Sequence, residues 1–145
     1  MKATIQSIGV IHTPYTSTGE IPRQGVLEPV TEGRVVLKDE YKEGLEGLNT
    51  FSHAVLIFYF HQAREERLKG TPPWADKERG VFAIRGPHRP NRLGLSVVKI
   101  HKITPDGFVF SGVDMLDGTP LIDIKPYVNM LDPLKEGGEG FQGRH

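Results

Sequence analysis

Three arginines, a histidine and two prolines fall within ten positions in RGPHRPNRLG, residues 85–94. Arginine carries a planar fork of donors that pairs with a carboxylate or phosphate through two hydrogen bonds. Pro87 and Pro90 restrict the backbone on both sides of His88 and Arg89, so little freedom is left to lose on binding. Gly86 and Gly94 permit close backbone approach. These residues suit the capture of an anion, although a solvated turn has the same composition. The loop lies in a segment, residues 79–105, that carries Arg79, Arg85, Arg89, Arg92, Lys99 and Lys102 and no acid. The whole chain is neutral, with 18 basic and 18 acidic residues, so the positive charge is local and not a general coat for polyanions.

Two further stretches have polar residues in stiff or tight settings. IPRQG, residues 21–25, holds Arg23 and Gln24 behind Pro22. DMLDGTPLIDIKPYV, residues 114–128, contains Asp117-Gly118-Thr119-Pro120, a turn between two strands in which an aspartate can also accept hydrogen bonds from ribose hydroxyls. His61 and Gln62 follow the most apolar run, where a histidine is more often structural than catalytic. The six histidines include no HxH or HxxxH pair, and no metal is expected. There is no cysteine, which excludes disulfides and thiolate chemistry. GxSxG, GxxxxGK[ST] and GxGxxG after a strand are all missing, so the usual warrants for a serine hydrolase, a P-loop enzyme or a Rossmann cofactor fold are absent.

The elements that must position these residues are short and numerous. At 145 residues, 37% hydrophobic and 25% charged, the chain suits one folded domain. Ala54–Phe60 has the length and β-branched, aromatic content of a buried strand. Ile5–Ile11, Gly33–Lys38, Gly80–Arg85, Leu95–Ile103, Phe108–Met115 and Leu121–Lys125 read as further strands, about seven in all. With 17 glycines, 11 prolines and little room for crossover helices, the expected architecture is mainly β: a single small, non-Rossmann β-barrel with short helical segments. AREERLK, after Gln62, suits a short exposed helix, and Leu45, Leu48 and Phe51 stand at helical spacing where they can cover one barrel end. Residues 1–136 form the expected barrel domain and 137–145 a flexible tail. No signal-like or membrane-spanning run occurs, which points to the cytoplasm.

IGVIHTPY, IPRQG, GLEGLNTFSHAVLIFYFHQ, GVFAIRGPHRPNRLGLSVVKI and DMLDGTPLIDIKPYV together resemble the TsaA-like, or tRNA methyltransferase O, family over about residues 8–128. The resemblance implies a short single-domain member: a barrel that binds S-adenosylmethionine and, as a homodimer, methylates the exocyclic N6 of threonylcarbamoyladenosine next to the tRNA anticodon. Carried onto matching positions, the cofactor contacts are Pro22, Arg23, Gln24, His61, Gln62, Arg85, Leu95, Leu116, Asp117, Gly118 and Thr119. The catalytic base is unassigned, with His61, Asp117 and water as candidates. Arg89 and Arg92 are candidates for RNA phosphate, and Lys125 and Tyr127 for RNA or the threonyl carboxylate. The loop departs from the family's pattern at Gly86, where serine or threonine often stands, and at Arg92, where proline often stands. Two rival readings are an S-adenosylmethionine-binding module without catalysis and a small-molecule methyltransferase of the same fold.

Overall fold

The computed structural model describes residues 1–17, 31–72 and 75–129. Strands β1 (Gly9–His12), β2 (Glu32–Leu37), β3 (His53–Tyr59), β4 (Lys69–Gly70), β5 (Arg79–Gly80), β6 (Leu93–Thr104), β7 (Gly107–Ser111) and β8 (Thr119–Pro126) follow in chain order. Six of them close into an antiparallel barrel in the order β1-β2-β7-β6-β3-β8, and β4 pairs with β5 as a separate two-stranded ladder. Closure leaves no unpaired edge in the barrel, because β1 bonds to β2 on one side and β8 on the other.

Alternation of side chains builds the core. Along β3, Ala54, Leu56 and Phe58 are buried inside while Val55, Ile57 and Tyr59 are half-buried on the outer wall. Ile11, Val35, Leu56, Val98, Phe108, Phe110 and Leu121 converge with Met115 and Val113 in one fully buried cluster. Gly107 sits where the β6–β7 hairpin crosses β2, and a Cβ there would fall 1.8 Å from the Val35 carbonyl oxygen. Glycine is therefore a packing requirement at that crossing. The 12-residue β6 pairs with β3 through Leu93–Lys99 and with β7 through Lys99–Thr104, so one strand links two walls. Its bulge leaves His101 as the extra residue, with Nε2 2.7 Å from the Ser111 hydroxyl.

The structure corrects several details read from the sequence. The barrel has six strands, not about seven. Gly80–Arg85 is not a strand: after β5 the chain makes a 3-10 turn, Val81–Ala83, that buries Val81 and turns Phe82 outward. AREERLK forms no helix, and runs irregularly into β4. EYKEGLEGLNTF forms two 3-10 segments, Asp39–Leu45 and Leu48–Thr50, in which Leu45 and Leu48 join the core and Phe51 stays at the surface. The glycines at 44 and 47 prevent one continuous helix, and Gly47 adopts φ +88. The tail, residues 137–145, lies outside the described residues, as do Pro22, Arg23 and Gln24. Among the described residues no helix is long and apolar enough to cross a membrane.

Candidate functional site

The antiparallel order decides which loops meet. β1, β3 and β7 end, and β2, β6 and β8 begin, at the same end of the barrel. Its connections are residues 13–31, 60–92 and 112–118, whereas the opposite end carries the two 3-10 segments and the tight turn around residues 105–106. His61 and Gln62 leave β3 here, Arg85 lies on the same long connection, Leu95 is the third residue of β6, and Leu116–Thr119 lead into β8. His61–Gln62, the start of β6 and Leu116–Thr119, distant in sequence, thus share one barrel end; Arg85 lies within the connection that leaves and re-enters there, and Leu95, paired with Ile57, stands on the outer wall. The strand ends that flank the segment containing Pro22, Arg23 and Gln24, His12 and Glu32, also open at this mouth.

Leu116–Thr119 divides its labour between support and presentation. Thr119 is buried and donates its hydroxyl to the Leu116 carbonyl at 2.6 Å, while its N–H bonds to the same oxygen at 3.2 Å. Gly118 takes φ +81, the left-handed conformation that the third position of such a turn demands. The turn is locked to β1 by Gly118 N–H donating to the Ile11 carbonyl at 2.9 Å and Asp117 N–H to the Tyr15 carbonyl at 2.7 Å. Asp117 then projects a carboxylate that is 44% exposed. Its Oδ1 accepts the Thr13 N–H at 3.1 Å and faces His12 Nδ1 at 3.2 Å. The Thr13 N–H, followed by His12, holds this carboxyl below the ordinary carboxylate range. An ionised acceptor fixed from behind can receive hydroxyl donors from in front.

His12 and Thr13 are the residues that sequence reasoning missed. They lie more than a hundred positions from Asp117, and only the β1–β8 pairing brings them beside it, so no local spacing reveals them. They also line, with Glu32, Arg34 and Val109, an open groove of about 340 Å³ on the outer wall.

The arginine loop is braced from within. Arg89 Nη1 donates to the Ile84 carbonyl at 2.6 Å, and Arg92 Nη1 to the Ala63 carbonyl at 2.6 Å. The Arg92 guanidinium lies 5.2 Å from the centre of the Tyr59 ring, and its Nε is buried without a partner among the described residues. His88 Nδ1 stands 3.3 Å from the Glu65 carbonyl. Asn91 and Arg92 both have positive φ, 63 and 47. Proline cannot adopt that φ, so arginine at 92 gives the loop a backbone that proline would forbid. Arg85, by contrast, is exposed and makes no hydrogen bond or ion pair among the described residues. His61 is half-buried at the mouth, Gln62 exposed, and Leu95 exposes 46% of its surface.

Lys125 and Tyr127 are not brought to this mouth. Lys125 lies six residues beyond Thr119 along β8, about 20 Å at ordinary strand rise, with its Nζ 3.1 Å from Asp123 Oδ2. Tyr127 packs edge-on against His53 and donates its N–H to that residue's carbonyl, closing the opposite end. Among the described residues no cluster of histidine, aspartate or glutamate could hold a metal ion.

A closed antiparallel barrel that holds a fixed carboxylate, Asp117, at the end where its long connections lie defines a class of folds outside the Rossmann type that carry polar groups on their loops. Residues 10–133 match the tRNA-methyltransferase O N-terminal domain, and the chain belongs to that family. It is 34% identical to the S-adenosyl-L-methionine-binding protein of Archaeoglobus fulgidus, with 91% of this chain and 94% of that protein covered. It is also 34% identical to the tRNA (adenine(37)-N6)-methyltransferase of Escherichia coli, covering 94% of this chain and 62% of that enzyme. A crystal structure of TrmO superimposes with a TM-score of 0.83 at 39% identity, covering 97% of this chain and 64% of the other. The chain spans about three fifths of the length of several curated relatives that it matches.

Proposed function

We propose that this chain binds S-adenosylmethionine at the loop-bearing barrel mouth and transfers its methyl group to N6 of threonylcarbamoyladenosine beside the tRNA anticodon, acting in the cytoplasm as a homodimer. The observation that supports the proposal is that His61–Gln62, the start of β6 and Leu116–Thr119 share one barrel end, with Arg85 on the connection between the first two. The donor set fits the ligand's chemistry: Arg85, without a partner among the described residues, suits its carboxylate, Asp117 its ribose hydroxyls, Leu95 its apolar surface, and His61–Gln62 the remaining wall. Pro22, Arg23 and Gln24 complete the proposed cofactor contacts.

The bound cofactor supplies an electrophilic methyl on a sulfonium. The protein holds the acceptor nitrogen in line at near-attack distance, which can account for much of the rate. With the cofactor bound, the methyl–sulfur bond would break to leave a neutral thioether as the N–C bond forms, and His61, Asp117 or a water would receive the N–H proton. Acylation of N6 by the threonylcarbamoyl group eases that loss. Arg92 serves by holding the loop, and the Arg89 N–H groups not bonded to Ile84 are assigned to RNA phosphate, so binding should weaken with salt. The test is incubation with methyl-labelled S-adenosylmethionine and two tRNA pools, with and without the threonylcarbamoyl group. Label confined to the modified pool is expected. Cofactor binding with label in neither pool would overturn methyl transfer to tRNA.

A further inference from the structure

Phe82 exposes 80% of its surface, and Leu68 beside it 70%. The phenyl is not on a loose segment. Its 3-10 turn is pinned at one side by the Val81 N–H donating to the Leu68 carbonyl at 2.9 Å, and closed by the Ile84 N–H donating to the Val81 carbonyl at 3.2 Å. Arg89 then fixes the Ile84 carbonyl at 2.6 Å, and the β4–β5 ladder supports the turn from the other side. Val81 anchors the turn in the interior while Phe82 points to solvent. The long connection, which leaves and re-enters the barrel at the mouth, therefore holds an aromatic ring in water in a preorganised position.

The ring's setting favours a polyanion with flat bases. Arg79 and Arg85 stand three residues to either side, Lys69 lies across the ladder, and no acid occurs from Arg79 to Pro105. Asp76 and Glu78 precede Arg79, with Lys77 between them, and on the adjoining segment Glu65 is paired with Arg67 at 2.7 Å. A ring framed by cations matches the stacking-plus-phosphate pattern by which proteins hold unpaired bases. A second copy is the poorer match, because one phenyl and one leucine supply little of the roughly 800 Å² per partner of a stable interface, and a twofold contact would turn these cations toward their own copies.

We infer that Phe82 is a stacking platform for an unpaired RNA base near the target adenosine, an inference that rests on the tRNA reading above. The test measures binding of a fluorescently labelled, unmodified anticodon stem-loop RNA and of S-adenosylmethionine to the parent, Phe82→Ala, Phe82→Leu and Phe82→Trp. Phe82→Ala should weaken stem-loop binding by about 5- to 150-fold, the range for one stacked base. Phe82→Trp should restore it, with the added indole's emission quenched by RNA. Phe82→Leu should not restore it, and cofactor affinity and melting temperature should stay within error in all three. Parent-like RNA binding by Phe82→Ala, or full rescue by Phe82→Leu, would overturn the stacking role alone. Conversion of a parental dimer to monomer by Phe82→Ala would assign the ring to a second copy instead. A parent that binds no stem-loop RNA would remove the tRNA reading and this inference together.

Discussion

Replacing Asp117 by asparagine separates the carboxylate's proposed role toward the cofactor from its role in the fold. The amide keeps the shape and can still accept the Thr13 N–H, now 3.1 Å from Oδ1. The two backbone bonds that lock the turn, to Ile11 and Tyr15, do not involve the side chain and should persist. With the side chain 44% exposed, exchanging a charged for a neutral acceptor should lower stability by less than about 1 kcal/mol. A ribose would lose far more, because an amide NH₂ turned outward cannot accept a hydroxyl. One charge-assisted bond at about 1.5 kcal/mol is roughly tenfold in affinity, and two are roughly a hundredfold. Calorimetric titration of S-adenosylmethionine at neutral pH, paired with urea unfolding, reads both quantities. A cofactor Kd changed less than twofold would refute the ribose assignment, and a stability loss above about 3 kcal/mol would make Asp117 a structural residue. The acid limb adds a signed check. The Thr13 N–H and His12 depress this carboxyl in the folded state, so its stabilisation is present above about pH 4 and is lost as pH falls through the folded value. Parent stability should therefore drop more steeply than that of the asparagine variant below about pH 4.

His12→Ala should weaken cofactor binding about two- to fivefold by freeing Asp117, and His12→Asn, whose amide nitrogen takes the place of Nδ1, should restore it; equal affinities in parent and alanine variant would show that His12 does not position the carboxylate. Arg92→Ala removes a 2.6 Å bond to the Ala63 carbonyl and a cation held over Tyr59, partly offset by removing the unpaired Nε, so urea unfolding should register a loss of about 2 kcal/mol. Gly107→Ala should cost at least about 3 kcal/mol or abolish folding, since the new methyl meets backbone 1.8 Å away, whereas Gly44→Ala, with nothing within 4 Å, should leave the melting temperature level or slightly raised. Similar melting temperatures for these two glycine variants would contradict the barrel crossing at β2 and β7.

The strand periodicity, the glycine and proline punctuation and the absence of crossover helices made a small β-barrel readable from the chain alone, because alternation is a local property of each strand. The motifs at Arg85, His61–Gln62 and Asp117–Thr119 were readable too, as residue types with suitable chemistry. Barrel closure decided the rest. Which loops share an end depends on antiparallel pairing across the whole chain, so only the fold could bring His61–Gln62 and Leu116–Thr119 to one end and send Lys125 and Tyr127 to the other. The expected strand at Gly80–Arg85 failed because an apolar run needs a neighbouring strand to pair with, and beyond Gly80 none is in register. Arg89 and Arg92 look alike as charges on a stiff loop, yet carbonyls at Ile84 and Ala63 determine where one donor of each points. His12 acquires its partner from a residue more than a hundred positions away. Composition and spacing thus determined which chemical groups the protein has, and long-range pairing decided which of them stand at the same end of the barrel.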